Sequence, residues 1–158
     1  MKRFAILFVL LVASGVTRAD VPGVLHWDSA HDLEVVYNSV YKSLEENRFF
    51  VVFEPNIGRN LAGFAERWGD DYNRNGLQGI RAMVFCNGWY ANQVSNLEPQ
   101  LLALCPLHLS VYRQGDRTHV VFVRPGLVGK DSKAEALLQE LEADVSKAIE
   151  QGLSATQP

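Results

Sequence analysis

Apolar and polar positions along this chain follow two periods, and the switches between them mark out the elements. After a short extended piece around Val24 to Trp27, apolar residues at Leu33, Val36, Tyr37, Val40 and Leu44 recur at helical spacing. Ser29 and Asp32 stand ahead of them as N-cap oxygens, so the spacing predicts a helix with one buried face. Phe49 to Phe53 is a compact β-branched and aromatic run ended by Pro55, which reads as a strand. A short amphipathic segment follows with Leu61, Phe64, Ala65 and Trp68 on one side, stopped by Gly69. The polar loop Asp70 to Gly79 leads into a second strand, Ile80 to Phe85, and Asn87 is placed to cap a helix that begins at Gly88.

Between Trp89 and Leu104, Pro99 sits where a proline fits the first turn of a new helix, so two short helices are expected rather than one long one. Leu107 to Arg113 and Thr118 to Arg124 alternate with period two around Gly115-Asp116, the pattern of a hairpin. Ser132 and Glu135 form a capping box for a final helix whose buried stripe is Leu137, Leu138, Leu141, Val145, Ala148 and Ile149. A sheet that ends in a hairpin is at least partly antiparallel. The fold class is therefore α+β, a mainly antiparallel sheet with helices on one face. There are no internal repeats, low-complexity tracts or linkers, so one domain is expected over residues 20–152, with a flexible tail at 153–158.

The start of the chain has a different character. Lys2 and Arg3 precede the apolar run Phe4 to Val16, and Thr17-Arg18-Ala19 offers small residues at the two positions a signal peptidase reads. Residues 1–19 are expected to be a cleavable signal peptide, which makes the mature protein periplasmic or secreted. The apolar run is about a dozen residues, short of the roughly 18 to 20 that a spanning helix needs, so no membrane insertion of the mature chain is expected. Removal of Lys2, Arg3 and Arg18 leaves 12 basic against 18 acidic residues, a net charge of −6. The remaining basic residues are scattered singly, which argues against a nucleic-acid partner.

Several segments carry a family likeness. Val84-Phe85-Cys86-Asn87-Gly88 with Tyr90-Ala91 reads as a strand, a Cys-Asn pair and a small-residue helix. Leu97-Glu98-Pro99, then Leu101 to Pro106, then Leu109-Ser110-Val111-Tyr112 and the hairpin continue the pattern. From about Glu34 to Ile149 the chain resembles the domain of unknown function 302 family. The resemblance implies a fold similar to a single TATA-binding-protein-like repeat and self-association as a homodimer. It brings no settled biochemical activity. The chain departs from the family pattern at Leu104-Cys105-Pro106, so nothing is carried over to Cys105.

In an oxidising compartment the pair Cys86 and Cys105 is read first as a disulfide. If the strand ending at Cys86 and the strand starting at Leu107 run antiparallel, both cysteines lie at one end of the sheet and can join; a single crossover helix between parallel strands would separate them. The first topology is the one expected. Alternatively, both cysteines are buried free thiols that pack as small hydrophobes, or Cys86 beside a helix N-terminus is a redox centre or a ligand for haem or a soft metal. No base is near it in sequence, the four histidines being His26, His31, His108 and His119. Closing the hairpin pairs Tyr112 with His119 and puts His108, Ser110, Tyr112 and His119 on one face, open to solvent or a dimer seam. His108 and His119 then stand roughly 13 Å apart along the ladder and cannot share a metal ion. Asp71, Asn73, Asn75 and Gly76 match the first half of a calcium loop, but Ala82 occupies the position that needs a bidentate Glu, so the segment is read as a turn. Trp89 and Tyr90, close behind Cys86 and Asn87, are candidates for the mouth of a pocket. No catalytic constellation or metal site is assembled from these residues. The expected function is a noncatalytic binding or interaction module for a small ligand or protein; the alternative is a redox or cofactor protein centred on Cys86.

Overall fold

The predicted first helix, α1 (Leu33–Glu46), buries Leu33, Val36, Tyr37, Val40 and Leu44 along the stripe read from the sequence. Its N-cap differs from expectation. Asp32 makes no capping bond; its carboxylate pairs with Arg113 at 3.2 Å, and Ser29 Oγ accepts the His31 N–H in the turn before the helix. At the other end the Phe49 N–H donates to Leu44 O at 2.9 Å and the Arg48 N–H to Glu45 O at 3.0 Å, the two bonds of a Schellman stop. Arg48 takes the left-handed position of that motif, with φ 66°, where glycine is the usual occupant. The computed structural model describes residues 21–156, so the signal read at residues 1–19 lies outside the described residues.

Five strands form one antiparallel sheet: β1 (Val24–Ser29), β2 (Phe50–Phe53), β3 (Leu77–Cys86), β4 (Leu107–Gln114) and β5 (Arg117–Val123), in the order β1-β5-β4-β3-β2. The hairpin closes in the predicted register, with Tyr112 opposite His119. β3 starts three residues before the predicted Ile80. A bulge between Gln78 and Ile80, at Gly79 with φ 76°, carries the ladder through residues that lack a strand pattern. β2 is an edge strand, and the Glu45 carboxylate blunts it by accepting the Val51 N–H at 2.7 Å.

One face of the sheet presents Met83, Phe85, Leu109, Val111, Val120 and Phe122 to the helices and forms the core. α1 and the last helix, α6 (Glu135–Ser154), cover it. They approach so closely that a Cβ on Gly152 would lie 2.8 Å from the Val40 Cα, and Ser39 Oγ and Ser43 Oγ donate across the seam to Gly152 O and Ala148 O, each at 2.7 Å. Along the way lie α2 (Ile57–Ala62), α3 (Ala65–Trp68), α4 (Gly88–Leu97), a 3-10 segment at Pro99–Leu104 and α5 (Pro125–Val128). The split into α4 and the 3-10 segment at Pro99 is as predicted, whereas α5 has no counterpart in the sequence reading. The capping box shifts too. Ser132 Oγ accepts from the Ala134 N–H and Glu135 Oε2 from the Asp131 N–H, so these residues close the loop ahead of α6 rather than capping each other. Among the described residues no helix is long and apolar enough to cross a membrane.

Candidate functional site

Asn87 follows β3 directly and builds the site. Its Oδ1 accepts the N–H groups of Trp89 and Tyr90 at 3.0 and 3.2 Å, capping α4 as predicted. Its Nδ2 donates to Arg48 O at 3.2 Å, which ties the start of α4 to the stop of α1. Where these two helix ends meet α6, a cleft of 540 Å³ opens. Asn87, Gly88, Trp89 and Tyr90 form one side; Arg48 and Phe50, and Glu140 and Asp144 from α6, complete it. Trp89 is 55% exposed and Phe50 53%, so both present aromatic surface to whatever enters. Tyr90 is almost fully buried and sets the floor. Its ring meets Trp89 edge-on at 4.9 Å and lies parallel to Phe49 at 6.2 Å. Its phenol donates to Asp144 Oδ2 at 2.7 Å, with Glu140 Oε1 farther off at 3.4 Å. Burial first, and then the bond to the Asp144 carboxylate, hold the phenol pKa well above its ordinary value. Among the described residues, Arg48, Glu140 and Asp144 form no ion pairs.

Of the pocket residues expected from sequence, Asn87, Trp89 and Tyr90 come together here and Cys86 does not. Arg48, Phe50, Glu140 and Asp144 were missed. Arg48 carries a faint signal, a non-glycine residue just past a helix end. The two carboxylates become visible only once α6 is known to lie beside α4.

The expected Cys86–Cys105 disulfide is not formed; both cysteines are free. The strands do run antiparallel, but the last pair of the β3–β4 ladder is Phe85 with Leu107. Pro106 is therefore next in line across from Cys86, and Cys105 lies one residue further out, at the end of the 3-10 segment and out of step with the alternation that a cross-strand bond needs. The thiols border one narrow crevice under Tyr90, Val94 and Leu138. Burial, and secondly Cys86, raise the Cys105 pKa. The α4 amides that could have faced Cys86 are taken by Asn87.

On the sheet face away from the helices, His108, Ser110, Tyr112 and His119 share one side as predicted, with His108 exposed. His119 is buried. The Tyr112 ring lies against it with centroids 4.9 Å apart, and His119 Nδ1 shares a hydrogen bond with His26 Nε2 at 2.9 Å. The two imidazole centroids are 5.1 Å apart with planes inclined by 26°, so the rings meet nitrogen to nitrogen, edge to edge. His26 comes from β1, whose place beside β5 the sequence did not reveal. The Asn-rich loop is a turn: Asn73 exchanges side-chain bonds with the backbone N–H and C=O of Leu77, and Asp71 pairs with Arg74. A second cleft of 330 Å³ opens beside it, lined by Leu61, Trp68, Tyr72, Leu77 and Ile80 among others.

The element order, the all-antiparallel sheet and the strand–Cys-Asn–helix junction at the cleft agree with one family pattern over nearly the whole described chain. The model of the domain of unknown function DUF302 matches residues 25–152. The chain belongs to the DUF302 family. This DUF302 domain is similar in structure to an uncharacterized conserved DUF302 protein from Bacillus stearothermophilus, with a TM-score of 0.66 and 18% identity over 87% of this chain and 100% of that one. At that identity the likeness is one of fold. No curated protein matches the chain. The cleft at Asn87 is built from the junction that also carries the DUF302 likeness in the sequence.

Proposed function

We propose that the chain is exported, that its first nineteen residues are removed, and that the mature domain is a noncatalytic binding module whose small ligand occupies the cleft at Trp89. The export reading is supported by the Lys2-Arg3 start, the Phe4 to Val16 apolar run and the small residues at Thr17 and Ala19. The observation that carries the binding reading is the cleft itself. Its 540 Å³ lies within the range of about 300 to 1,000 Å³ typical of small-molecule sites, and it is walled by two aromatic rings more than half exposed. A buried tyrosine is hydrogen-bonded to Asp144 within it, and charged residues of both signs line it. What the arrangement offers chemically is stacking surface and charge recognition.

The test is a thermal-shift screen of the mature protein against small molecules grouped by charge and aromaticity, repeated on Trp89→Ala. Trp89 is exposed enough for the variant to keep its fold. A ligand at one hundred times its Kd adds about 2.7 kcal/mol of stability, readily seen as a rise in Tm. We expect at least one class to raise the Tm of the native protein and to lose that effect in Trp89→Ala. A screen with no shifts, or shifts that Trp89→Ala leaves untouched, would overturn the assignment.

A further inference from the structure

Resting on the cleft reading above, we propose that the ligand is a zwitterion with an apolar or aromatic side chain, the chemistry of a free α-amino acid. The charges lining the cleft are of both signs and do not neutralise one another. Arg48 stands with Phe50 where α1 gives way to β2, and Glu140 and Asp144 stand on α6. No ion pair joins them among the described residues. A monocation placed here gains the carboxylates but meets the guanidinium, and a monoanion meets the reverse. A molecule that carries an ammonium and a carboxylate on one carbon offers a partner to each sign of charge.

The hydrogen bonds sharpen the assignment. Tyr90 has a single phenol proton, and the shorter contact gives it to Asp144 at 2.7 Å, leaving Glu140 at 3.4 Å with its acceptor capacity almost unused. Glu140 is thus the first acceptor for an ammonium group, with Asp144 oriented beside it. On the other side, a guanidinium offers paired donors in a fork that matches a carboxylate. The backbone at Arg48 has φ 66°, a conformation that glycine adopts without steric penalty. The arginine adds nothing to that turn except its side chain, and the residue lines the cleft. Trp89 and Phe50 then supply the surface for the ligand's own side chain, ring against ring or ring against methyl groups.

The experiment is calorimetric titration of the mature protein with L-phenylalanine, L-tryptophan and L-leucine, and with two analogues that each lack one charge, 2-phenylethylamine and 3-phenylpropionate. At least one amino acid is expected to bind, with each analogue about tenfold weaker or more, since each forgoes hydrogen bonds to a charged group. Arg48→Gly, which suits the backbone, should weaken amino-acid binding by about tenfold while leaving 2-phenylethylamine unchanged or improved. Glu140→Gln should do the converse, sparing 3-phenylpropionate. If a single-charge analogue matches the amino acid, or Arg48→Gly binds it as well as the native protein does, the zwitterion assignment is overturned. It is also overturned if no amino acid binds while another class of compound still depends on Trp89 in the thermal-shift screen, a result that leaves the cleft reading standing. Absence of any Trp89-dependent ligand sinks the cleft reading itself.

Discussion

Replacing Tyr90 by Phe probes the bond that holds α4 to α6 and orders the floor of the cleft. The ring is 5% exposed and stays in place in the variant, so no cavity opens and the burial of carbon is unchanged. What is lost is one phenol hydrogen bond to Asp144 at 2.7 Å. Hydrogen bonds to charged acceptors contribute about 1.5 to 3 kcal/mol, but both carboxylates are exposed and water resolvates them, so the loss falls to about 1 kcal/mol. For a domain of this size that is a drop in Tm of about 3 to 4 °C at pH 7. The pH dependence carries the sharper signature. The folded phenol pKa lies above the unfolded value of about 10. The phenol's contribution is therefore complete below about pH 10 and is lost as the pH climbs from there toward the folded pKa. Tyr37, raised by burial and by its bond to Glu54, behaves in the same sense in both proteins and cancels from the comparison. Thermal unfolding of native and Tyr90→Phe protein from pH 7 to 11 should show a gap that is constant to about pH 10 and narrows beyond it. Equal Tm values at pH 7, or a gap that widens with alkali, would refute the account of Tyr90 as a donor to Asp144.

Two further predictions test the frame. Gly152→Ala sets a methyl carbon 2.8 Å from the Val40 Cα, a backbone atom that cannot swing aside. Overpacking of about 1 to 3 kcal/mol outweighs the helix-propensity gain of about 1 kcal/mol, and calorimetry should show a lower Tm; Gly88→Ala, with nothing within 4 Å, should leave it unchanged or slightly raised. Thiol titration of protein prepared without reductant should give both cysteines after unfolding, and Cys105, read alone in Cys86→Ala, should react more slowly in the folded state because its pKa is raised. Fewer than two thiols after unfolding would mean that the disulfide forms.

What the sequence disclosed was local or periodic. The α1 and α6 stripes, the Asn87 cap, the break at Pro99 and the Tyr112–His119 register each follow from a few neighbouring residues and one rule of spacing. What it withheld depends on which elements lie side by side. Nothing between Val24 and Trp27 says that the strand they begin pairs with β5, so His26 could not be set against His119 in advance. The disulfide failed for a finer reason. The antiparallel arrangement behind it was right, but an offset of one residue at the end of a ladder turns a bridgeable pair into two free thiols. Asp32 and Ser132 mark a further limit, since an oxygen placed to cap a helix also finds other donors, here Arg113 and the Ala134 N–H.

The cleft shows why sequence could find half of the site. Asn87, Trp89 and Tyr90 lie within four residues of one another and announce themselves by a cap and two rings. The other half arrives from α1's stop and from the middle of α6, more than ninety residues apart in the chain. The Asn87–Arg48 bond, the Tyr90 phenol, the Phe49–Tyr90 ring contact and the Asn47–Gln151 bond already bridge these three segments. A ligand held by both Arg48 and Glu140 would add a further link between the turn before β2 and α6. Its binding energy would then appear as tightening between α1, α4 and α6. Hydrogen exchange offers a direct reading of this. Slower exchange at the start of α4 and in the middle of α6 on ligand addition, with the β1–β5 edge unchanged, is the pattern expected; protection confined to the far sheet face would place the ligand among the histidines instead.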